Sequence, residues 1–160
     1  MSIALDQVKE FFFVAMMQGY VGNKSKVKIA SMPGFKEIDV IAGLWRCLDR
    51  YCVNSVSRKS AGTTTIWFEN DPVWIMNYSG WYDESAIDFL KSALRSNYEK
   101  SIFVGGRGPT YFFESGSPFT YSNFGCIGMT FARFQGQEQI NALNHGNLGY
   151  HNYWGMSLLP

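Results

Sequence analysis

Apolar residues at Leu5, Val8, Phe12, Ala15 and Met16 recur in steps of three and four, and Gly19 closes the series. That period predicts an amphipathic helix over 4–18 with glycine as its stop. Phe11, Phe13 and Met17 widen its apolar face, so most of this helix is expected to be covered. A second stripe, Ile87, Leu90, Ala93 and Leu94, is flanked by Phe89 and Tyr98. Asp83 is its candidate N-cap, Glu84 sits in the first turn, and Lys91, Arg95 and Lys100 favour its C-terminal end. Elsewhere the period drops to two. Ile38, Val40 and Ile41 suggest one strand and 46–56 another, although 37–56 reads ambiguously. A β-branched run at 63–69, the turn Asn70-Asp71-Pro72 and a run at 73–78 predict a β-hairpin over 62–79. Residues 22–34 read as loop, with Met32-Pro33-Gly34 as a turn. From 101 onward, six short apolar runs (102–104, 111–113, 119–124, 129–134, 139–143 and 148–154) alternate with Gly, Pro, Ser and Asn, and five of them are expected to be strands. The order helix, strands, helix, strands predicts an α+β domain. Its antiparallel sheet would have six to nine strands, with two main helices on one side.

One local pattern occurs twice. Gly62-x-Thr64-x-Ile66 precedes Trp74-x-x-Asn77-Tyr78-x-Gly80, and Gly136-x-Glu138-x-Ile140 precedes Tyr150, Asn152, Tyr153 and Gly155. The step from first glycine to asparagine is 15 residues in one copy and 16 in the other. Two pseudo-repeated halves, about 4–80 and 84–156, within a single domain spanning 1–160 account for this.

Composition narrows the classes. A chain of 160 residues can bury roughly 70% of its unfolded surface without disulfide or metal. Aromatics and charged residues are each 17%, so rings must either overfill the core or line a cleft. Net charge is +1, which gives no global field for nucleic acid. Residues 1–60 carry nine Lys/Arg against five Asp/Glu, and 61–160 carry five against eight. Lys24, Lys26 and Lys28 read as a solvated loop or a lysine-protected edge strand, or as a phosphate-contacting arm. Cys47, Cys52 and Cys126 show no CxxC spacing, and the two histidines make no zinc pattern, so neither metal nor cofactor is expected. The start, Met1-Ser2-Ile3-Ala4-Leu5-Asp6, lacks the basic region of a signal peptide, and Phe11 to Met17 is too short an apolar run for a membrane span. A cytoplasmic location is the expectation.

Candidate chemistry is spread along the chain. Asn77 in an otherwise apolar strand must be hydrogen-bonded, either structurally or to a ligand, and Asn152 repeats it. Arg107 follows Gly105-Gly106 and could fork onto a ligand anion or onto a structural carboxylate such as Glu138. Glu138 or Asp49 could serve as acid or base, and Asp49 shares a strand face with Tyr51. No GxSxG elbow accompanies His151, and the cysteines read as small apolar fillers.

At Trp74-Ile75-Met76-Asn77-Tyr78-Ser79-Gly80, Arg107-Gly108-Pro109 and Phe134-Gln135-Gly136-Gln137-Glu138, the sequence resembles a bacterial family of domains of unknown function, DUF5680. Pro33-Gly34 and Asp49-x-Tyr51 match similar pairs, and the likeness runs over about 5–156. In some relatives the domain follows a helix-turn-helix segment, which implies effector sensing. Here residue 5 already begins the domain's own helix, and Trp154-Gly155-Met156 stands where the family has a glycine pair. The expectation is a stand-alone small-molecule-binding or sensor domain, and not an enzyme. Trp74, Tyr78 and Trp81 would stack, Asp49, Tyr51, Asn77 and Asn152 would orient polar groups, and Arg107 with Glu138 would supply charge. The competing readings are a hydrolase or isomerase using Glu138 or Asp49, and an antitoxin- or immunity-like partner-binding module. The last of these includes a homodimer formed through an exposed aromatic patch or β-edge; neither a nucleic-acid nor a membrane partner is expected.

Overall fold

Five strands follow the first helix and four follow the second. The computed structural model describes residues 3–125 and 128–160, so Met1, Ser2, Cys126 and Ile127 lie outside it. Helix α1 (Leu5–Gln18) leads into β1 (Val27–Lys28), β2 (Phe35–Ala42), β3 (Trp45–Val53), β4 (Lys59–Phe68) and β5 (Asp71–Tyr82). Helix α2 (Ile87–Tyr98) is followed by β6 (Tyr111–Phe113), β7 (Phe119–Gly125), β8 (Arg133–Ala142) and β9 (Gly146–Ser157). Among the described residues these strands form one antiparallel sheet in the order β1-β2-β3-β4-β5-β9-β8-β7-β6. The fold is α+β. Its centre is the pairing of β5 with β9, where Tyr78 faces Tyr153.

Local chemistry explains the element ends. The Gln7 side chain accepts from the Ala4 N–H and starts α1, and Gly19 donates to the Ala15 carbonyl and ends it. Asp83 caps the second helical stretch by accepting from the Ser85 N–H, but the first turn, Glu84–Ala86, is 3-10, so α2 proper begins one turn later than the stripe suggests. The ambiguous stretch 37–56 resolves into β2 and β3, joined tightly at Gly43-Leu44. Lys28 sits on the edge strand β1, with Lys24 and Lys26 exposed in the preceding loop.

Two of the expected strands are corrected. The run 102–104 is not a strand, because Ser101, Gly105 and Gly106 around it all take positive φ and turn the chain; only Val104 bridges to Arg107. Phe103 is used as a core side chain instead, edge-on to Phe131 and Phe134. The runs 129–134 and 139–143 belong to the single strand β8, which begins at Arg133 after a turn closed by Thr130. The six runs therefore contribute four strands.

Alternation along the strands separates two faces. Trp74, Met76 and Tyr82 of β5 turn toward the core, and Ile140, Tyr121 and Tyr153 join them from the other half of the sheet. Both helices bury residues in that same core: Val8, Phe11 and Phe12 from α1, and Leu90, Ala93 and Leu94 from α2. Phe12 is its hub, within 6.0 Å of the rings of Trp74, Tyr98, Phe103 and Phe131. On the opposite face, Phe124 and Trp154 are about half exposed.

Candidate functional site

The site is built on a glycine. Gly62 on β4 faces Tyr78 on β5, and a Cβ at Gly62 would stand 2.5 Å from the Tyr78 hydroxyl and 2.6 Å from Tyr51 Cβ. With hydrogen there instead, the Tyr78 phenol crosses β4 and donates to Oδ1 of Asp49 on β3 at 2.7 Å. Thr64, opposite Asp49, donates to the same oxygen at 3.1 Å. Beyond the sheet's centre, Gly136 faces Tyr153 and a Cβ there would run into the Tyr153 hydroxyl. Tyr153 crosses β8 and donates to Oδ1 of Asn123 on β7 at 2.6 Å. Asn123 faces Glu138 just as Asp49 faces Thr64.

Above Asp49, between this face and the helices, lies a cavity of about 580 Å³. Tyr20, Tyr51, Tyr78, Tyr82 and Tyr98 line it with apolar residues of β2 and α2, and Ser60, Thr64, Arg107 and His151 add polar groups. A volume of this size suits a small organic molecule. Burial pushes the Asp49 carboxyl above the usual carboxylate range, against the Tyr78 and Thr64 hydrogen bonds and the charges of Arg107 and Lys26. Burial likewise pushes the Tyr20 and Tyr51 phenols up to about 12, so both stay neutral.

Arg107 enters from the loop after α2. Positive φ at Gly105 and Gly106 turns the chain toward the sheet. Tyr98 donates to the Gly106 carbonyl at 2.8 Å and Asn97 to the Arg107 carbonyl at 3.0 Å, which tie the loop to the helix. The guanidinium then closes on Glu138: Nε donates to Oε1 at 2.9 Å and Nη2 to the same oxygen, while Tyr121 donates to Oε2 at 2.6 Å. Glu138 is fully buried. Desolvation would raise its pKa, but the Arg107 charge and hydrogen bonds outweigh that and hold it below the usual range. Next to this pair, His151 Nε2 lies 3.0 Å from Ser60 Oγ, and Nδ1 lies 3.7 Å from Glu138 Oε1 with no hydrogen bond. Burial, reinforced by Arg107 and opposed by Glu138, lowers the His151 pKa to about 4, so the imidazole is neutral at pH 7.

Of the residues singled out from sequence, Asp49, Tyr51, Tyr78 and Arg107 line the cavity, with Glu138 directly behind Arg107. Trp74 does not reach it. Its ring is fully buried, stacked on Phe131 at 5.1 Å, with Nε1 donating to the Phe131 carbonyl at 3.0 Å. Trp81 borders neither this cavity nor a shallow depression on the opposite face. Asn77 and Asn152 border that depression, and Asn77 accepts from Thr63 Oγ1 at 2.8 Å. The asparagines of the recurring pattern thus lie away from the cavity, and of that pattern's tyrosines Tyr78 lines it. Tyr20, Tyr82 and Ser60 were missed from sequence and His151 was set aside there, since the four converge from separate segments.

Most of these residues fall inside a family match. A family model for a domain of unknown function, DUF5680, matches residues 55–156. The chain belongs to the DUF5680 family. The DUF5680 match takes in β4 to β9 and α2, including Gly62, Tyr78, Arg107, Glu138 and His151; Asp49 and Tyr51 lie just ahead of it. No curated protein and no solved structure matches the chain. Among the described residues of this DUF5680 protein, no helix is long and apolar enough to cross a membrane, and no three His, Cys, Asp or Glu cluster as metal ligands would.

Proposed function

We propose that this domain binds a small molecule and is of the sensor type, with its ligand held between the helices and the sheet. The observation that carries this reading is Asp49. It faces a roomy, tyrosine-walled cavity, both its hydrogen bonds fall on Oδ1, and it makes no ion pair among the described residues. A desolvated carboxylate costs stability unless something compensates it, and binding sites accept such costs where structural cores do not. The ring walls are tyrosines 20, 51, 78 and 82, in place of the tryptophans expected from sequence. Free thiols at Cys47 and Cys52 support a reducing, cytoplasmic setting.

The test is a metabolite screen read by melting temperature and titration calorimetry, run in parallel on Ile87→Trp, which fills the cavity from α2. A ligand that raises the melting temperature of the wild-type protein and not of Ile87→Trp supports the site. A broad screen in which no compound distinguishes the two proteins sinks it.

An enzymatic reading through Glu138 loses its basis, since that carboxylate is closed off by Arg107 and Tyr121. Asp49 keeps an acid–base reading open, because a carboxyl with a raised pKa borders the cavity. A partner-binding reading draws on Tyr111, Phe113, Phe124 and Trp154, all more than half exposed.

A further inference from the structure

We infer that the cavity is selective for a small organic cation, a primary amine or amidine on an apolar or aromatic body, with Asp49 as its acceptor; this rests on the cavity being a binding site. Two independent observations lead there.

The first is the charge of the floor. Arg107 and Glu138 cancel one another, and His151 is neutral. Among the described residues Asp49 is left without an ion pair, both its hydrogen bonds falling on Oδ1, while of the other cations lining the cavity Lys26 and Lys36 make no ion pair with it and Arg58 turns to Glu84 at 3.7 Å. Lys26 borders the same cavity and its charge favours the ionised Asp49, but it forms no ion pair with it, and its ammonium lies over the Tyr20 ring at 5.1 Å. An anionic ligand would meet Asp49 at short range in a low dielectric, whereas an ammonium would supply the missing partner. The tyrosine walls suit a cation as well. Lys26 and Lys91 already stand over the Tyr20 ring, at 5.1 and 5.3 Å.

The second is a comparison inside the molecule. Asp49 and Asn123 occupy like settings, each taking the phenol that crosses a glycine and each facing an inward residue of the next strand. At Asn123 the space is filled by the protein's own loop. Asn123 Nδ2 donates to the Val104 carbonyl at 3.0 Å and the Gly108 carbonyl at 2.8 Å. The 104–108 loop therefore acts as a built-in ligand whose acceptors match an amide. At position 49 the amide is replaced by an acceptor-only carboxylate and the space is open. The complementary ligand must bring donors where the loop brings carbonyls. An amine or amidine does so; a carbonyl or carboxylate does not.

The experiment uses three probes of one shape, phenethylamine, phenylacetamide and phenylacetate, titrated calorimetrically into the wild-type protein and Asp49→Asn. Asparagine preserves an Oδ1 for Tyr78 and Thr64, as Asn123 does for Tyr153, so the variant is expected to fold, and its melting curve checks this. The amine should bind the wild type about 10- to 100-fold more tightly than the amide, the range for a hydrogen bond to a charged partner. Phenylacetate should bind weakest, and Asp49→Asn should lose the amine preference and keep the amide. Amide or acetate binding as tightly as the amine overturns the cation assignment while leaving the binding site standing. Unchanged amine affinity in Asp49→Asn also overturns it, since the amine would then sit elsewhere. If none of the probes binds and the wider screen cannot tell wild type from Ile87→Trp, both readings fall together.

Discussion

His151 couples the site to acid. It is 8% exposed, and burial with Arg107 nearby lowers its pKa from 6.5 to about 4. The unfolded chain then binds a proton that the folded one refuses, at every pH between those two values. The stability due to keeping His151 neutral is fully present above pH 6.5, falls as the pH drops through the window, and levels off below about 4. Linkage over that shift gives a loss of about 2 kcal/mol by pH 5 and about 3 kcal/mol by pH 4. Glu138, held low by Arg107, loses stability in the same direction at more acid pH, while Asp49, raised by burial, works the opposite way. The assay is urea denaturation at several pH values between 7.5 and 4 for the wild type and His151→Gln, whose amide can still bond Ser60. Wild-type stability should fall along the acid limb, and His151→Gln should be flat or slightly rising there. An identical acid slope in both proteins, or an imidazole titrating by NMR above pH 6, would refute the reasoning.

Other predictions concern the sheet face. Gly62→Ala places a methyl against the Tyr78 hydroxyl and Tyr51 Cβ and should cost about 1–3 kcal/mol, measured as a lower urea midpoint. Asp49→Asn should raise the melting temperature at neutral pH, because ionising this carboxyl is disfavoured in the fold, and the gain should vanish in acid once both forms are uncharged. Glu138→Gln strands the buried Arg107 charge and should destabilise by about 3–5 kcal/mol in chemical denaturation. Cys47, 2% exposed with its thiol pushed up by burial, should resist iodoacetamide at pH 8 until denaturant is added.

The fold was legible where periodicity was sustained. The stripe from Leu5 to Met16 and the alternation through Trp74, Met76 and Tyr78 each allow one structure. Legibility failed where a short apolar run met turn geometry, as at 102–104 between Ser101 and Gly105. The site was half legible. The recurring glycine-to-asparagine step pointed to the right strands but to the wrong face, since alternation along β5 turns Asn77 outward while Tyr78 faces in. Trp74 was mislocated for a related reason, because a large ring on the inner face serves packing as readily as recognition. The convergence of Tyr20, Ser60 and His151 depends on long-range pairing that no local pattern encodes.

The two margins of the sheet bear on how copies of this protein can meet. One ends in β1, two residues long, and the other in β6, three residues long. Such stubs offer a neighbouring molecule almost no run of unpaired amides to zip onto. Through these stubs themselves, fibre-like growth by strand stacking is disfavoured; the longer open run is the outer edge of β2 over 38–42, which β1 leaves uncovered.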